Sequence, residues 1–180
     1  CMICVLSVMN GFGVLVEQMF SEFDPPLIIT SKQSHTFRTD TAPIQSLFST
    51  DAIGTISQQV EHTALVRHKD HQLPCRVLGV DSLFTRTAHI DSVITDGFYS
   101  VYDGAFERAV LGRGLAAQIG INAHFTGALH LYAPKRIGKI NMLRPDQSLE
   151  HEHAFIAGTF AINQVDYDDQ LMLISLPLAE

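Results

Sequence analysis

The stretch from Ala109 to Pro134 constrains the fold of this chain more than any other, because several strong conformational signals follow one another closely. Four kinds of segment occur in it, and each favours a particular backbone conformation: an apolar run, a glycine turn, a short amphipathic segment, and a segment in which apolar and polar residues alternate. Gly120 is placed to end the amphipathic segment, and Pro134 to end the alternating one. The order predicts a strand over 109–111, a turn over 112–114, a helix over 115–119 and a strand over 129–132.

Gly112, Gly114 and Ala117 have the spacing of a degenerate dinucleotide-binding motif, in which a helix N-terminus faces a pyrophosphate. The context argues against that function. The helix is too short to cross over between parallel strands, and the next strand ends at Pro134 instead of an acidic residue that would hold a ribose. We therefore expect a structural turn and predict no nucleotide or other cofactor.

Composition is typical of one globular domain, or two small ones, with a buried core. The chain has 180 residues, of which 46% are hydrophobic and 17% charged. Its 12 basic and 19 acidic residues give a net charge of −7, which disfavours a nucleic-acid partner. Cys1, Cys4 and Cys75 are too few for a disulfide framework, and no strand precedes the Cys1-x-x-Cys4 pair, as a thioredoxin-like site would require.

No residue from Cys1 to Val16 is charged. A helix that spans a bilayer needs about 20 apolar residues, so we interpret this run as part of a membrane-proximal helix over 1–21. Pro25 and Pro26 cannot continue that helix. A buried helix of a soluble domain and a lipoprotein acylated at Cys1 are the alternatives.

The remaining segments mix helices with hairpins and lack a regular strand–helix alternation, which indicates the α+β class. A long hairpin is predicted, with strands over 55–67 and 73–84 and with His68 and His71 exposed in its turn. Asp91 is a candidate cap of a short helix that ends before Gly97. Other predicted elements are a buried strand over 27–30, a helix over 43–48 and a last hairpin of strands over 155–162 and 171–176.

Four motifs occur along the chain in a characteristic order and spacing. They are Ser7-Val8-Met9-Asn10-Gly11-Phe12, Gly79-Val80-Asp81, the segment 110–121, and Gly158-Thr159-Phe160 followed by Tyr167-Asp168. Together they resemble the permease subunits of lipoprotein-releasing ABC transporters. Two further segments, Phe23-Asp24-Pro25 and residues 132–136, are similar to members of that family from Bacteroidetes.

The resemblance implies the extracytoplasmic domain between the first two membrane helices of such a permease, with the MacB-like periplasmic core fold. Both chain ends, residues 1–81 and 154–180, would form a porter-like α/β subdomain. Residues 82–153 would form a smaller, inserted, strand-rich subdomain with a protruding loop over 134–145.

The resemblance also implies a location and partners. The full-length protein would be anchored in the inner membrane, with this domain on the periplasmic side. Its partners would be a cytoplasmic ABC ATPase, a second permease subunit and a periplasmic lipoprotein carrier or cargo. The implied function is not enzymatic: it couples ATP hydrolysis to lipoprotein release or export. An FtsX-like module that regulates an extracytoplasmic cell-wall hydrolase is the alternative.

The sequence Glu150-His151-Glu152-His153 is the best candidate for metal binding, because a strand would place both imidazoles on one face. Two ligands do not make a site, and the sequence does not identify a third. The acidic turn with Asp166, Asp168 and Asp169 lacks the glycine and distant glutamate of a calcium loop, so we expect a solvated acidic turn. With no nucleophile motif either, we predict no catalytic residue and no metal.

The segment between Pro134 and Pro145 is the candidate partner-binding site. It interleaves four basic residues with large apolar ones, and no acid interrupts it. Surface loops of this composition are typical of recognition sites; a hairpin arm packed on its own domain is the alternative. The candidate residues are Lys135, Arg136, Ile137, Lys139, Ile140, Met142, Leu143 and Arg144.

In the family that the chain resembles, the corresponding loop is a hook that engages the soluble lipoprotein carrier in one type of subunit. This chain departs from that pattern. His130 stands where a carrier-binding member has a stronger base, and Asp146, Glu150 and Glu152 follow where polar or basic residues are expected.

Overall fold

A seven-stranded sheet organises the part of the chain that the computed structural model describes, residues 2, 5–12, 27–32, 36–39, 41–48, 53–121, 127–134 and 149–179. The strands are β1 (Gln59–His68), β2 (His71–Val80), β3 (Ile94–Gly97), β4 (Arg108–Gly112), β5 (Ala128–Pro134), β6 (Leu149–Phe160) and β7 (Leu171–Ser175). The helices are α1 over residues 5–12, α2 (Ala42–Phe48), α3 (Phe84–Thr87), α4 (Arg113–Ile119), α5 (Val165–Asp168) and α6 (Leu176–Ala179), with a 3₁₀ turn over Ile90–Val93.

The sheet closes on itself. Its strand order is β3-β6-β4-β7-β2-β1-β5, and β5 also pairs with β6, so that six strands form a barrel-like ring. β3 pairs with the C-terminal half of β6, beyond the part that pairs with β5. The coarse prediction of a fold that mixes helices with strands is confirmed.

The central strands are buried on both faces. All five residues of β7 are buried, as are four of the five in β4, which explains their continuous apolar sequences. One core cluster includes Leu111, Met172 and the α4 residues Leu115 and Ile119. On the other face, Leu173 and its neighbours pack with residues of α3 and the 3₁₀ turn.

The predicted hairpin of β1 and β2 is confirmed, but its outer ends are not: β1 begins at Gln59 instead of residue 55, and β2 ends at Val80, before α3 begins at Phe84. The two strands pair in one continuous register that ends at His68↔His71, with a two-residue turn at Lys69 and Asp70. The prediction that His68 is exposed is wrong: its exposed fraction is 7%. The inward alternation of β1 continues to His68, whose Nδ1 lies 3.4 Å from the carbonyl oxygen of Ile119 at the end of α4.

The predicted strand–turn–helix–strand unit is present as β4, α4 and β5. Gly120 ends α4 in the left-handed conformation with φ 75°, as a glycine C-cap does. α4 begins at Arg113, earlier than predicted, so Gly112 is its N-cap and Gly114 lies in its first turn. This junction of β4 and α4 packs against the α5 region. A methyl group on Gly112 would overlap the carbonyl of Asp168, and one on Gly114 would overlap the carboxylate of Asp169. The interpretation of these glycines as a tightly packed structural turn is confirmed.

Two predicted strands need correction. Residues 27–30 are not a buried strand: they belong to none of the strands β1 to β7, and Leu27 is 73% exposed. An apolar run alone cannot fix strand pairing. The last two strands do not form a hairpin either, because β4 lies between β6 and β7 in the sheet. β6 also begins earlier than predicted, so residues 150–153 lie inside a strand.

The aspartates that the sequence singled out have other local roles than predicted. The carboxylate of Asp168 accepts hydrogen bonds from the backbone N–H groups of Ile162 and Asn163, at 2.8 and 3.0 Å. This corrects the interpretation of Asp168 as one member of a solvated acidic turn. Asp91 does not cap a helix; it lies inside the 3₁₀ turn, whose N-cap position is His89. The helix predicted to end before Gly97 is wrong as well, because Ile94–Gly97 is strand β3. The predicted helix over 43–48 is confirmed as α2.

The sheet joins strands from both predicted subdomains. β3, β4 and β5 belong to the region 82–153, and they pair with strands on either side of it in the sequence. The boundary at 153/154 falls within β6. The division into two subdomains stays a prediction.

The described N-terminal residues are helical. Residues 5–12 form α1, and all of them are exposed, including the apolar side chains of Val5, Leu6 and Phe12. Cys1, Cys4 and residues 13–21 of the predicted membrane-proximal helix lie outside the described residues. Within the described ranges, none of the helices has the length and apolarity needed to cross a membrane.

Candidate functional site

The hairpin of β5 and β6 carries both sites that the sequence singled out. The two strands are antiparallel, and their pairing runs from Ala128↔Phe155 to Pro134↔Leu149. Residues 135–148 therefore connect two strand ends that lie side by side. The candidate partner-binding residues, Lys135, Arg136, Ile137, Lys139, Ile140, Met142, Leu143 and Arg144, lie outside the described residues.

Alternation along β5 divides the hairpin into an inner and an outer face. Leu129 and Leu131 are buried and belong to the core, together with Ala154 of β6. His130 and Tyr132 alternate with these leucines and therefore stand on the outer face. Because the two leucines are buried in the core, the side chains that alternate with them must project outward.

The register of the hairpin brings three histidines together on that outer face. His130 lies directly opposite His153, and Tyr132 lies opposite His151. The imidazole rings of His130 and His151 are stacked with centroids 5.1 Å apart, and Nδ1 of His130 is 2.9 Å from Nε2 of His151. The ring of His153 stands edge-on to both, at 4.7 Å from His130 and 4.4 Å from His151.

The three histidines are placed to share one ligand. One ligand nitrogen of each lies within 4.8 Å of the others, and within the described ranges this is the place where three metal-ligating side chains converge in this way. His130 is partly buried, while His151 and His153 are exposed. Tyr132 closes one side of the cluster, with its ring stacked on His151 at 4.8 Å between centroids.

The surroundings of His130 disfavour its protonated form. The pKa of His130 lies below its ordinary value, first because burial disfavours the charged ring and then because His153, His151 and Arg67 repel it. Arg67 is the partner of His130 on the neighbouring strand β1. Neutral imidazole is the form that binds metal ions.

The acidic neighbours of the cluster face away from it. Glu150 and Glu152 alternate with His151 and His153 along β6, so their side chains stand on the opposite face of the strand. The prediction that His151 and His153 share one face is confirmed. The sequence did not reveal His130 as the third member, because it lies on another strand.

Solved structures contain this fold. The chain is similar to the extracellular domain of the noncanonic ABC-type transporter YknZ from Gram-positive bacteria, with a TM-score of 0.51 and 8% sequence identity. The match covers 74% of this chain and 60% of that domain, less than two thirds of its length. No protein-family model and no curated protein sequence matches the chain. The fold is therefore similar to that of an ABC transporter extracellular domain.

Proposed function

We propose that this chain is the extracytoplasmic domain of an ABC transporter permease subunit. The observation that carries the proposal is the likeness of its fold to the extracellular domain of an ABC-type transporter. In the proposed role the domain performs no chemistry itself. It couples ATP hydrolysis in the cytoplasm to the release or export of a lipoprotein, by contact with a periplasmic carrier or with the cargo.

The exposed helix α1 supports a membrane-anchored chain. Residues 5–12 carry no charged side chain, and their large apolar side chains are exposed, among them Val8, Met9 and Phe12. Exposed large apolar side chains are unfavourable in water, and a group of them is typical of a segment that a membrane or a protein covers. In the proposed role the membrane would cover these side chains, because α1 would adjoin a membrane helix.

The β5–β6 hairpin supports a partner contact at the loop over 134–145. β5 pairs with β1 at residues 130–132, and β6 pairs with β4 from Phe155 onward, so both strands that carry the loop belong to the closed sheet. Long loops carried by rigid scaffolds are the usual places for recognition residues. The basic side chains of the segment would attract an acidic partner surface, and its apolar side chains would be buried in the contact.

The membrane side of the domain can be tested in spheroplasts that express the full-length protein. Asp70 lies in the exposed turn between β1 and β2, and Cys75 is buried. In a background in which Cys1 and Cys4 are replaced by Ser, Asp70→Cys is expected to react with a membrane-impermeant maleimide without lysis. The same background without Asp70→Cys is the control. Labelling that requires lysis would place the domain in the cytoplasm and contradict the proposal.

The coupling to an ATPase requires a second experiment. The full-length protein, solubilised from membranes with a tag, is expected to copurify with an ABC ATPase. Inactivating the phosphate-binding lysine of that ATPase should stop lipoprotein release from spheroplasts while the complex still assembles. Isolation of the protein without any ATPase, or lipoprotein release that is unaffected by the lysine variant, would refute the transport function.

A further inference from the structure

The outer face of the β5–β6 hairpin presents three imidazoles from two strands at one point. We propose that His130, His151 and His153 bind one divalent transition-metal ion, with Zn²⁺ as the expected ion. The proposal depends only on the geometry of these three residues, so it stands or falls separately from the transport function.

The positions of the ring nitrogens suit one ion. Zn–N bonds of about 2.0–2.1 Å in a tetrahedral site place two ligand nitrogens about 3.3 Å apart. Nδ1 of His130 and Nε2 of His151 are already 2.9 Å apart, and all three ligand nitrogens lie within 4.8 Å. His151 and His153 are exposed, so rotation of their side chains closes the remaining distance without disturbing the core.

The chemistry of the ligand set selects the class of ion. Three imidazoles without a carboxylate or thiolate suit Zn²⁺, Cu²⁺ or Ni²⁺ and disfavour Ca²⁺ and Mg²⁺, which prefer oxygen ligands. Glu150 and Glu152 stand on the other face of β6 and do not complete the set. The fourth coordination position is therefore open to water or to a ligand from a partner, as in zinc sites with three protein ligands.

The position of the site gives the ion a structural effect. His130 is on β5, while His151 and His153 are on β6, so one ion would link the two strands next to the strand ends at Pro134 and Leu149. Because the ion binds the folded hairpin and not the separated strands, it should stabilise the fold, and the gain should grow with the logarithm of the metal concentration once that concentration exceeds the dissociation constant. Ring stacking and one hydrogen bond between His130 and His151 would, by themselves, produce no dependence on metal.

Calorimetric titration of the metal-free 180-residue chain with Zn²⁺ tests the site, with any purification tag removed. Cys1 and Cys4 are replaced by Ser in every sample, since thiolates also bind zinc. The parent is expected to bind one ion per chain. His151→Ala combined with His153→Ala should weaken binding by at least about a hundredfold, since even loss of a supporting residue costs 10–100-fold. His71→Ala combined with His89→Ala, two exposed histidines outside the cluster, is the matched control and should bind like the parent.

Two further measurements separate loss of the site from loss of the fold. Without metal, the parent and both double variants should all melt cooperatively, within a few degrees of one another. Added Zn²⁺ should raise the melting temperature of the parent and of the control, but not that of the cluster variant. Nitrogen NMR of the imidazoles should show three rings that shift together. Absence of saturable binding of Zn²⁺, Ni²⁺ and Cu²⁺ by the parent, or equal binding by the cluster variant, would overturn the proposal.

Discussion

The carboxylate of Asp81 accepts a hydrogen bond from the hydroxyl group of Ser57, with 2.6 Å between Oδ1 and Oγ. The same carboxylate accepts the backbone N–H groups of Gln58, at 2.9 Å, and of Leu83, at 3.1 Å. Asp81 directly follows β2, so it ties the segment that enters β1 to the turn that begins α3. Its place in the Gly79-Val80-Asp81 motif therefore has a structural explanation that requires no ligand.

Asp81→Ala should lower the free energy of unfolding by about 2–3 kcal/mol, because three donors lose a charged acceptor in a partly buried position. Asp81→Asn retains an oxygen acceptor but introduces an NH₂ group, so we expect a smaller loss. Urea denaturation followed by circular dichroism measures both variants. Asp70→Ala in the exposed β1–β2 turn is the control and should change stability by less than about 0.5 kcal/mol. Equal stability of Asp81→Ala and the parent would refute the structural role.

Gly112, where β4 meets α4, should not accept a side chain without loss of stability. Gly112→Ala places a methyl group against the backbone of Asp168 and should cost about 1–3 kcal/mol through overpacking. Gly114→Ala should cost less, because the atom it first meets is the side-chain carboxylate of Asp169, which can rotate away. Gly54→Ala is the control, since nothing lies within 4 Å of an added Cβ there. Thermal melts that rank Gly54→Ala as the most damaging would contradict this account.

Stability should fall in alkaline solution. Burial raises the pKa of the Cys75 thiol from 9.0 to about 12, against a smaller opposite effect of a backbone hydrogen bond at Val66. Burial also raises the pKa of Tyr99. Both groups hold their protons more tightly in the folded state, so their contribution is full below the unfolded pKa values, near pH 9 for Cys75. That contribution is lost as the pH rises toward the folded values.

Urea denaturation at neutral pH and at about pH 10 measures this effect on the free energy of unfolding. Tyr99→Phe is the informative variant, because the Tyr99 hydroxyl is buried and has no hydrogen-bond partner among the described residues. Removing it should reduce the alkaline loss without destabilising the protein at neutral pH. A free energy of unfolding that stays constant between the two pH values would show that folding raises the pKa of neither Cys75 nor Tyr99.

Replacing Ile140, Met142 and Leu143 together by Ser should leave the domain folded but impair transport by the intact permease. The proposed contact would bury these side chains, with a hydrophobic gain of roughly 25 cal/mol per Å². Arg136→Glu and Lys139→Glu should mainly slow association with the partner, most clearly at low salt. A triple variant that melts far below the parent would assign the three side chains to the core. A folded variant with normal transport would show that the loop is not the contact.

Local signals in the sequence were sufficient for most individual elements. The unit formed by β4, α4 and β5 follows from an apolar run, two glycines, Gly120 and a proline, because each restricts backbone conformation within a few residues. The β1–β2 hairpin follows from two long strand-like segments on either side of a short polar turn. The prediction of a buried strand over 27–30 was wrong because apolar character predicts burial but does not identify the surface against which the residues would pack.

The sequence by itself determined that His151 and His153 share one face of a strand, because side chains alternate along any strand. Only the tertiary structure decided that His130, 21 residues before His151, joins them, since β5 and β6 must first pair in one register within a closed sheet. The same holds for His68, which the neighbouring end of α4 covers. Alternation is a property of each strand's own backbone, whereas register and closure depend on the packing of the whole core.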